Sequence, residues 1–151
     1  MKKVLLFMIT FVLLLSCQSK KSSGDYFKEG EELFAKKLYD EAIEKYEEGL
    51  KLTPNSAVGY NLLGMAYRFK FNEVRDPSFR QKEIESFKKA IEIDETYWVA
   101  YINLGATYYY GERKAEAIPL FQRALELYPL NPEKEAIERM IEEAKKEGDR
   151  L

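Results

Sequence analysis

The 151-residue chain contains no histidine, one cysteine, one tryptophan and only 5 prolines. Without histidine there is no Ser-His-Asp or Cys-His nucleophile pair, no imidazole metal ligand and no side chain that ordinarily titrates near neutral pH. A single cysteine permits neither an internal disulfide nor a thiolate zinc site. Net charge is also scarce: 24 Lys and Arg face 26 Asp and Glu, a formal −2, which gives no basic footprint for nucleic acid. No glycine-rich phosphate loop or ligand cluster occurs, so no cofactor and no metal is expected. Carboxylates come in runs such as Glu41, Glu44, Glu47 and Glu48, interleaved with lysine at helical spacing, the pattern of a solvated face. No catalytic residue is expected, and an envelope enzyme is the least favoured reading.

What hydrophobicity there is lies unevenly. Residues 1–17 hold 13 apolar residues and no acid, with Lys2 and Lys3 ahead of the run Val4 to Leu15. That run is too short to span a bilayer, which needs about 20 residues, and it fits the apolar region of a secretory signal peptide. It ends in Leu14-Leu15-Ser16-Cys17, which resembles the lipobox of bacterial lipoproteins. The resemblance implies cleavage after residue 16 and a diacylglycerol thioether on Cys17. Residues 17–23 then read as a polar, lipidated tether. Gln18, rather than Asp, follows the cysteine. In lipoproteins of two-membrane bacteria this implies the periplasmic face of the outer membrane. Without residues 1–17 the chain carries 22 basic and 26 acidic residues.

From residue 24 onward apolar positions recur at helical spacing, and no stretch sustains strand alternation. Gly30, Gly64 and Gly105 align, with Tyr26, Tyr60 and Tyr101 four residues before them and Leu33, Tyr67 and Tyr108 three after. Ala42, Tyr46, Gly49 and Pro54 correspond to Ala117, Phe121, Ala124 and Pro129; the middle unit supplies Phe87 and Ala90, displaced by seven inserted residues. This resembles the tetratricopeptide repeat, a 34-residue helix-turn-helix. Glu29, Glu83 and Glu95 depart from the pattern, Glu83 standing where Ala42 and Ala117 provide a small residue.

The resemblance implies an all-α fold: three repeats, at about 23–56, 57–97 and 98–131, and a capping helix at 132–147, stacked as a right-handed α-solenoid over 24–147. The expected helices are 24–37, 40–52, 56–69, 77–93, 97–110, 113–127 and 132–147. The three glycines cost helix stability, so they predict close backbone contact. Tyr46, Phe87 and Phe121 are expected to fill the space between successive pairs. Asp76-Pro77 and Asn131-Pro132 read as N-cap and first helical residue. Pro119 is expected on the outer face of the sixth helix.

In the family, the first helices of successive repeats line a concave groove. Carried onto this chain, that implies a partner-binding set of Phe27, Phe34, Asn61, Met65, Arg68, Phe69, Ile102, Asn103, Tyr109 and Tyr110, an aromatic groove with few charges. Glu31, Ala35 and Ala106 fall at groove positions as well. Chaperone-binding members clamp a C-terminal carboxylate with Lys, Arg and Asn. Phe27, Glu31, Leu62 and Val99 occupy the clamp places and only Asn103 matches, so that specificity is not expected. The inserted residues, around 69–75, read as a turn, either one whose Phe71, Val74 and Arg75 form a second contact at the edge of the groove or a neutral insertion of the kind loops tolerate. Tyr97 and Trp98 read as sealing the junction between the second and third repeats.

The sequence therefore points to a lipid-anchored adaptor that binds another envelope protein or a peptide through its groove, of the kind that assists envelope or pilus assembly. Its membrane contact is the lipid on Cys17. The alternative is a self-associating scaffold, a homo-oligomer.

Overall fold

The computed structural model describes residues 20–148. The expected signal peptide, Cys17 and the first part of the tether lie outside the described residues. Among the described residues seven helices follow one another: α1 (Ser23–Ala35), α2 (Tyr39–Leu52), α3 (Ala57–Val74), α4 (Pro77–Ile93), α5 (Trp98–Tyr110), α6 (Lys114–Leu127) and α7 (Lys134–Gly148). Each packs on its neighbours in the chain, and the first helices of successive repeats touch, α1 on α3 and α3 on α5. Three helical hairpins and a capping helix are the result.

The ends of the helices follow from local chemistry. Ser22 caps α1 in a reciprocal box: its Oγ accepts from the Asp25 N–H at 3.2 Å, and the Asp25 carboxylate accepts from the Ser22 N–H at 2.8 Å. Ser22 and Ser23 thus belong to the helix, and the tether ends earlier than the spacing predicts. Ser56 caps α3 through the Gly59 N–H, and Asp76 caps α4 through the Ser78 N–H with Pro77 as the first helical residue. Asn131 accepts from the Glu133 N–H but closes a turn, so α7 begins at Lys134 rather than residue 132. Pro119 lies inside α6 and is exposed, as expected.

The seven inserted residues are not a turn. α3 runs ten residues past Gly64, whereas α1 and α5 end five past Gly30 and Gly105; α4 also starts three residues early. The insertion therefore lengthens the second hairpin, and the link shrinks to Arg75 and Asp76. Arg75 takes the left-handed conformation, φ 60°, and donates its N–H to the Phe71 carbonyl. Lys70, bonded to Asp40 at 2.7 Å and Glu73 at 3.0 Å, ties the extra turn of α3 to the start of α2.

The core explains the glycines. Tyr46, Phe87 and Phe121 are 0 to 1% exposed, and each ring lies over the glycine of its own repeat: a Cβ at Gly64 or Gly105 would fall 2.6 Å from the ring of Phe87 or Phe121. They fill each helical pair from within, not the space between pairs. Buried apolar residues form two clusters. One joins Ala42, Ile43, Tyr46 and Leu50 to Leu63, Ala66 and Tyr67; the other joins Ile84, Phe87, Leu104, Tyr108 and Phe121 to Ile137, Ile141 and Ala144 of α7. Trp98 stacks on Tyr128, ring centroids 4.9 Å apart, which ties the start of α5 to the residue that follows α6. Tyr97 is half-buried, and that burial raises its pKa.

Candidate functional site

The face formed by α1, α3 and α5 carries the residues expected to line a groove, and the structure sorts them into three groups. The first is apolar and close to one end. Phe34 meets Phe69 edge to face at 5.1 Å, and both rings pack on Tyr39 of α2. Phe69 stays 37% exposed. Phe27 does not join them: its ring wedges against Gly49 of α2 and Gly59 of α3, where it serves packing.

The second group is polar and occupies the middle. Glu83, on α4, is 0% exposed. Its Oε1 accepts from Arg68 Nε at 2.7 Å and from the Thr107 hydroxyl at 2.6 Å, and its Oε2 accepts from Arg80 Nη1. Arg68 Nη2 donates to the Asn103 carbonyl and to Thr107 Oγ1, and Asn103 Nδ2 donates to Asn61 Oδ1 at 2.8 Å. The Arg68 guanidinium also lies 5.0 Å from the centre of the Phe87 ring. Removing two cations and an anion from water is costly unless each donor and acceptor finds a partner, and here both carboxylate oxygens do. The layer sits between the two apolar clusters and connects α3, α4 and α5. The expected aromatic groove with few charges is therefore corrected: its centre is an ion network.

Local sequence explains why this happens only in the second repeat. Position four after the glycine is Phe34, Arg68 and Tyr109 in the three repeats, and the slot opposite is Ala42, Glu83 and Ala117. In two repeats the aromatic ring and the alanine belong to one apolar cluster; in the middle one an ion pair takes their place. Met65 and Ile102 are half-buried beside this layer, and both pack against the larger apolar cluster.

The third group lies toward α7. Tyr109 is 8% exposed, and its hydroxyl donates to the Glu143 carboxylate of α7, a bond that pushes its pKa up to about 12. It is a joint between the third repeat and the cap rather than a free groove residue. Tyr110 packs edge to face on it and is 72% exposed. Of the proposed second contact, Phe71 is covered by the Arg80 guanidinium, 4.1 Å from the ring centre, while Val74 is 45% exposed. Arg75 stands over the same ring at 5.7 Å.

Sequence reasoning missed Glu83, Thr107 and Arg80. The signal for Glu83 was present, an acid where the other repeats place alanine. Among the described residues no group of three or more metal-ligating side chains comes together, and no helix is long and apolar enough to cross a membrane.

Comparisons with known proteins agree with this architecture. A family model described as TPR repeat matches residues 30–68, and one described as tetratricopeptide repeat matches 98–131. The small glutamine-rich tetratricopeptide repeat-containing protein 2 of Saccharomyces cerevisiae is 30% identical over 85% of this chain and 35% of its own length. The human tetratricopeptide repeat protein 33 is 31% identical over 81% of the chain and 43% of its own. The chain thus spans between about a third and somewhat under half of the length of these curated relatives. Among solved structures, the first TPR of Spaghetti (RPAP3), bound to an HSP90 peptide of sequence SRMEEVD, superposes with a TM-score of 0.71 at 23% identity, covering 85% of this chain and 94% of that one. The TPR2B domain of yeast Sti1, in a complex described as pHsp70, gives 0.71 at 22% identity, covering 83% and 97%.

Proposed function

From the premise that this chain carries tetratricopeptide repeats, we propose that it is an adaptor that holds a segment of a partner protein along the face of α1, α3 and α5. The supporting observation is the composition of that face: the exposed rings of Phe69 and Tyr110 flank a polar layer in which the Asn103 amide is half-buried. A fixed, half-buried amide suits the main chain of an extended segment, and aromatic rings give contact area at low entropic cost. Domains of the same fold hold an HSP90 peptide in one solved complex and a partner described as pHsp70 in another, which supports the reading by analogy. Their specificity does not carry over, because Phe27, Glu31, Leu62 and Val99 supply no basic clamp here.

The proposal includes the anchor. Leu14-Leu15-Ser16-Cys17 makes Cys17 the lipid attachment point, and two or more acyl chains hold a protein stably at a membrane. The adaptor then works in the bacterial envelope, facing the periplasm from the outer membrane where the organism has one. Metabolic labelling with a radioactive fatty acid tests this part: label is expected on the wild-type chain and absent from Cys17→Ser. Equal labelling of both would refute the anchor.

The groove is tested by cross-linking and affinity capture from membranes, comparing the wild-type chain with a Phe69→Ala, Tyr110→Ala variant. Both side chains are exposed, so the helical content is expected to survive while capture is lost. Undiminished capture would refute the groove.

A further inference from the structure

Beside the polar layer, between α3 and α5, lies a recess of about 330 Å³ lined by Arg68, Asn72, Arg80, Ala106, Thr107 and Tyr110. Two of those six are arginines and none is an acid. On a chain whose net charge is negative, that lining is a local inversion of sign. The carboxylate that both arginines bind, Glu83, is fully buried, and one anion shared by two guanidinium groups leaves an excess of one positive charge.

The two arginines are not equivalent. Arg68 is engaged through Nε, Nη1 and Nη2. Arg80 is engaged by hydrogen bonding through Nη1 alone, and no other hydrogen bond among the described residues uses its Nε or Nη2. Its planar head is held from two sides, by Glu83 and by the Phe71 ring. A guanidinium fixed in this way presents its remaining N–H edge as a fork, which matches the two oxygens of a carboxylate. Asn72 and Tyr110 complete the polar part of the lining. Asn72 belongs to the extra turn of α3, so the recess is a product of the lengthened second hairpin.

We propose that this recess reads an acidic side chain, Asp or Glu, within the segment that lies on the α1, α3 and α5 face. The inference rests on the groove reading above. Asn61, Met65, Arg68 and Asn72 follow one another at helical spacing along α3, so the stripe they form is about 16 Å long. An extended segment of about five residues covers that length. With its main chain at the half-buried Asn103, it reaches Arg80 through a side chain rather than through its end. The lengthened hairpin thus converts a general peptide face into one that selects for charge.

The test uses the full chain, immobilised, and two libraries of random dodecapeptides: one with both ends blocked by acetyl and amide groups, the other with a free carboxyl terminus. The expected result is a bound pool from the blocked library enriched in Asp or Glu at one position. Individual blocked peptides from that pool are expected to bind Arg80→Gln roughly tenfold more weakly, the usual worth of a charge-assisted hydrogen bond, and Arg80→Lys with a smaller loss. Circular dichroism and thermal melting of Arg80→Gln serve as the folding control, since Glu83 retains Arg68 and Thr107. A bound pool without acidic enrichment, or one that binds Arg80→Gln equally well, overturns the recess and leaves the groove standing. Enrichment confined to the free-carboxyl library assigns the recess to a chain end and also overturns it. Failure of both libraries to yield a bound pool overturns the groove reading and this one together.

Discussion

The ion layer of the second repeat can be tested against the other two repeats of the same molecule. Glu83→Ala places in the middle repeat the residue that Ala42 and Ala117 already provide, so the helix itself loses nothing. What it removes is the carboxylate that accepts from Arg68, Thr107 and Arg80. Arg80 has 27% of its side chain in solvent and can turn outward, but Arg68, at 18%, is left as a largely buried cation without a counter-charge. Breaking a buried pair from one side costs about 3 to 5 kcal/mol. Partial exposure of Arg68 places the loss near the lower limit, about 3 kcal/mol, a substantial part of the total stability of a domain this size. In a thermal melt followed by circular dichroism that is a fall of about 10 °C. The companion variant Arg68→Tyr, Glu83→Ala installs the pair of residues that the third repeat has at Tyr109 and Ala117, both members of its apolar cluster. It is expected to recover most of the loss, because exchanging a buried ion pair for packed apolar groups is often neutral or better. The double-mutant cycle then gives a coupling of about 2 kcal/mol or more between the two positions. If Glu83→Ala costs less than about 1 kcal/mol, or the double variant is no more stable than the single one, the layer is not the costly, mutually dependent unit described above.

Two further outcomes follow from the packing. Gly64→Ala forces a methyl group against the Phe87 ring, which has no room to retreat at 0% exposure; a loss of about 1 to 3 kcal/mol is expected in urea unfolding, and an unchanged midpoint would contradict the close approach. Tyr109 holds its proton more tightly folded, up to about 12, than unfolded, where a tyrosine titrates near 10. The bond to Glu143 therefore stabilises the fold fully below the unfolded value and is lost as pH rises toward the folded one. Melting temperature measured across that alkaline window is expected to fall less steeply for Tyr109→Phe than for the wild type, and parallel curves would refute the assignment.

The parts of this fold that were legible in the sequence are those governed by local spacing. The three glycines with their aromatic partners gave the hairpins, and Asp76-Pro77 gave the start of α4, because a cap and a proline act on the residues beside them. The site was less legible, since its decisive contacts cross elements. Arg68 and Glu83 are 15 residues apart and belong to no helical i, i+4 pattern, so the sequence showed an anomalous acid without showing its partners. Tyr109 lies at a groove offset, but the cap formed by α7 covers it, and the angle at which a terminal helix docks leaves no local signature. The insertion was misread as a turn because a chain length alone does not distinguish a longer loop from longer helices. Locating Asp76 as a cap left room for only two linking residues once Phe71 and Val74 continued the apolar stripe of α3.

Repeated sequences face a hazard during folding: a helix can dock on the wrong copy of its intended mate, since the copies resemble one another. The mixed charge layer gives this chain a lock against that error. If α4 docked against α1 or α5 in place of α3, Glu83 would meet Phe34 or Tyr109 at the place where it needs a guanidinium, and a bare carboxylate would be sealed among rings. If α2 or α6 docked on α3, Arg68 would meet only Ala42 or Ala117. The mispaired hairpins are thus penalised from both directions, and the middle repeat, the least typical of the three, becomes the element that tells the chain which copy is which.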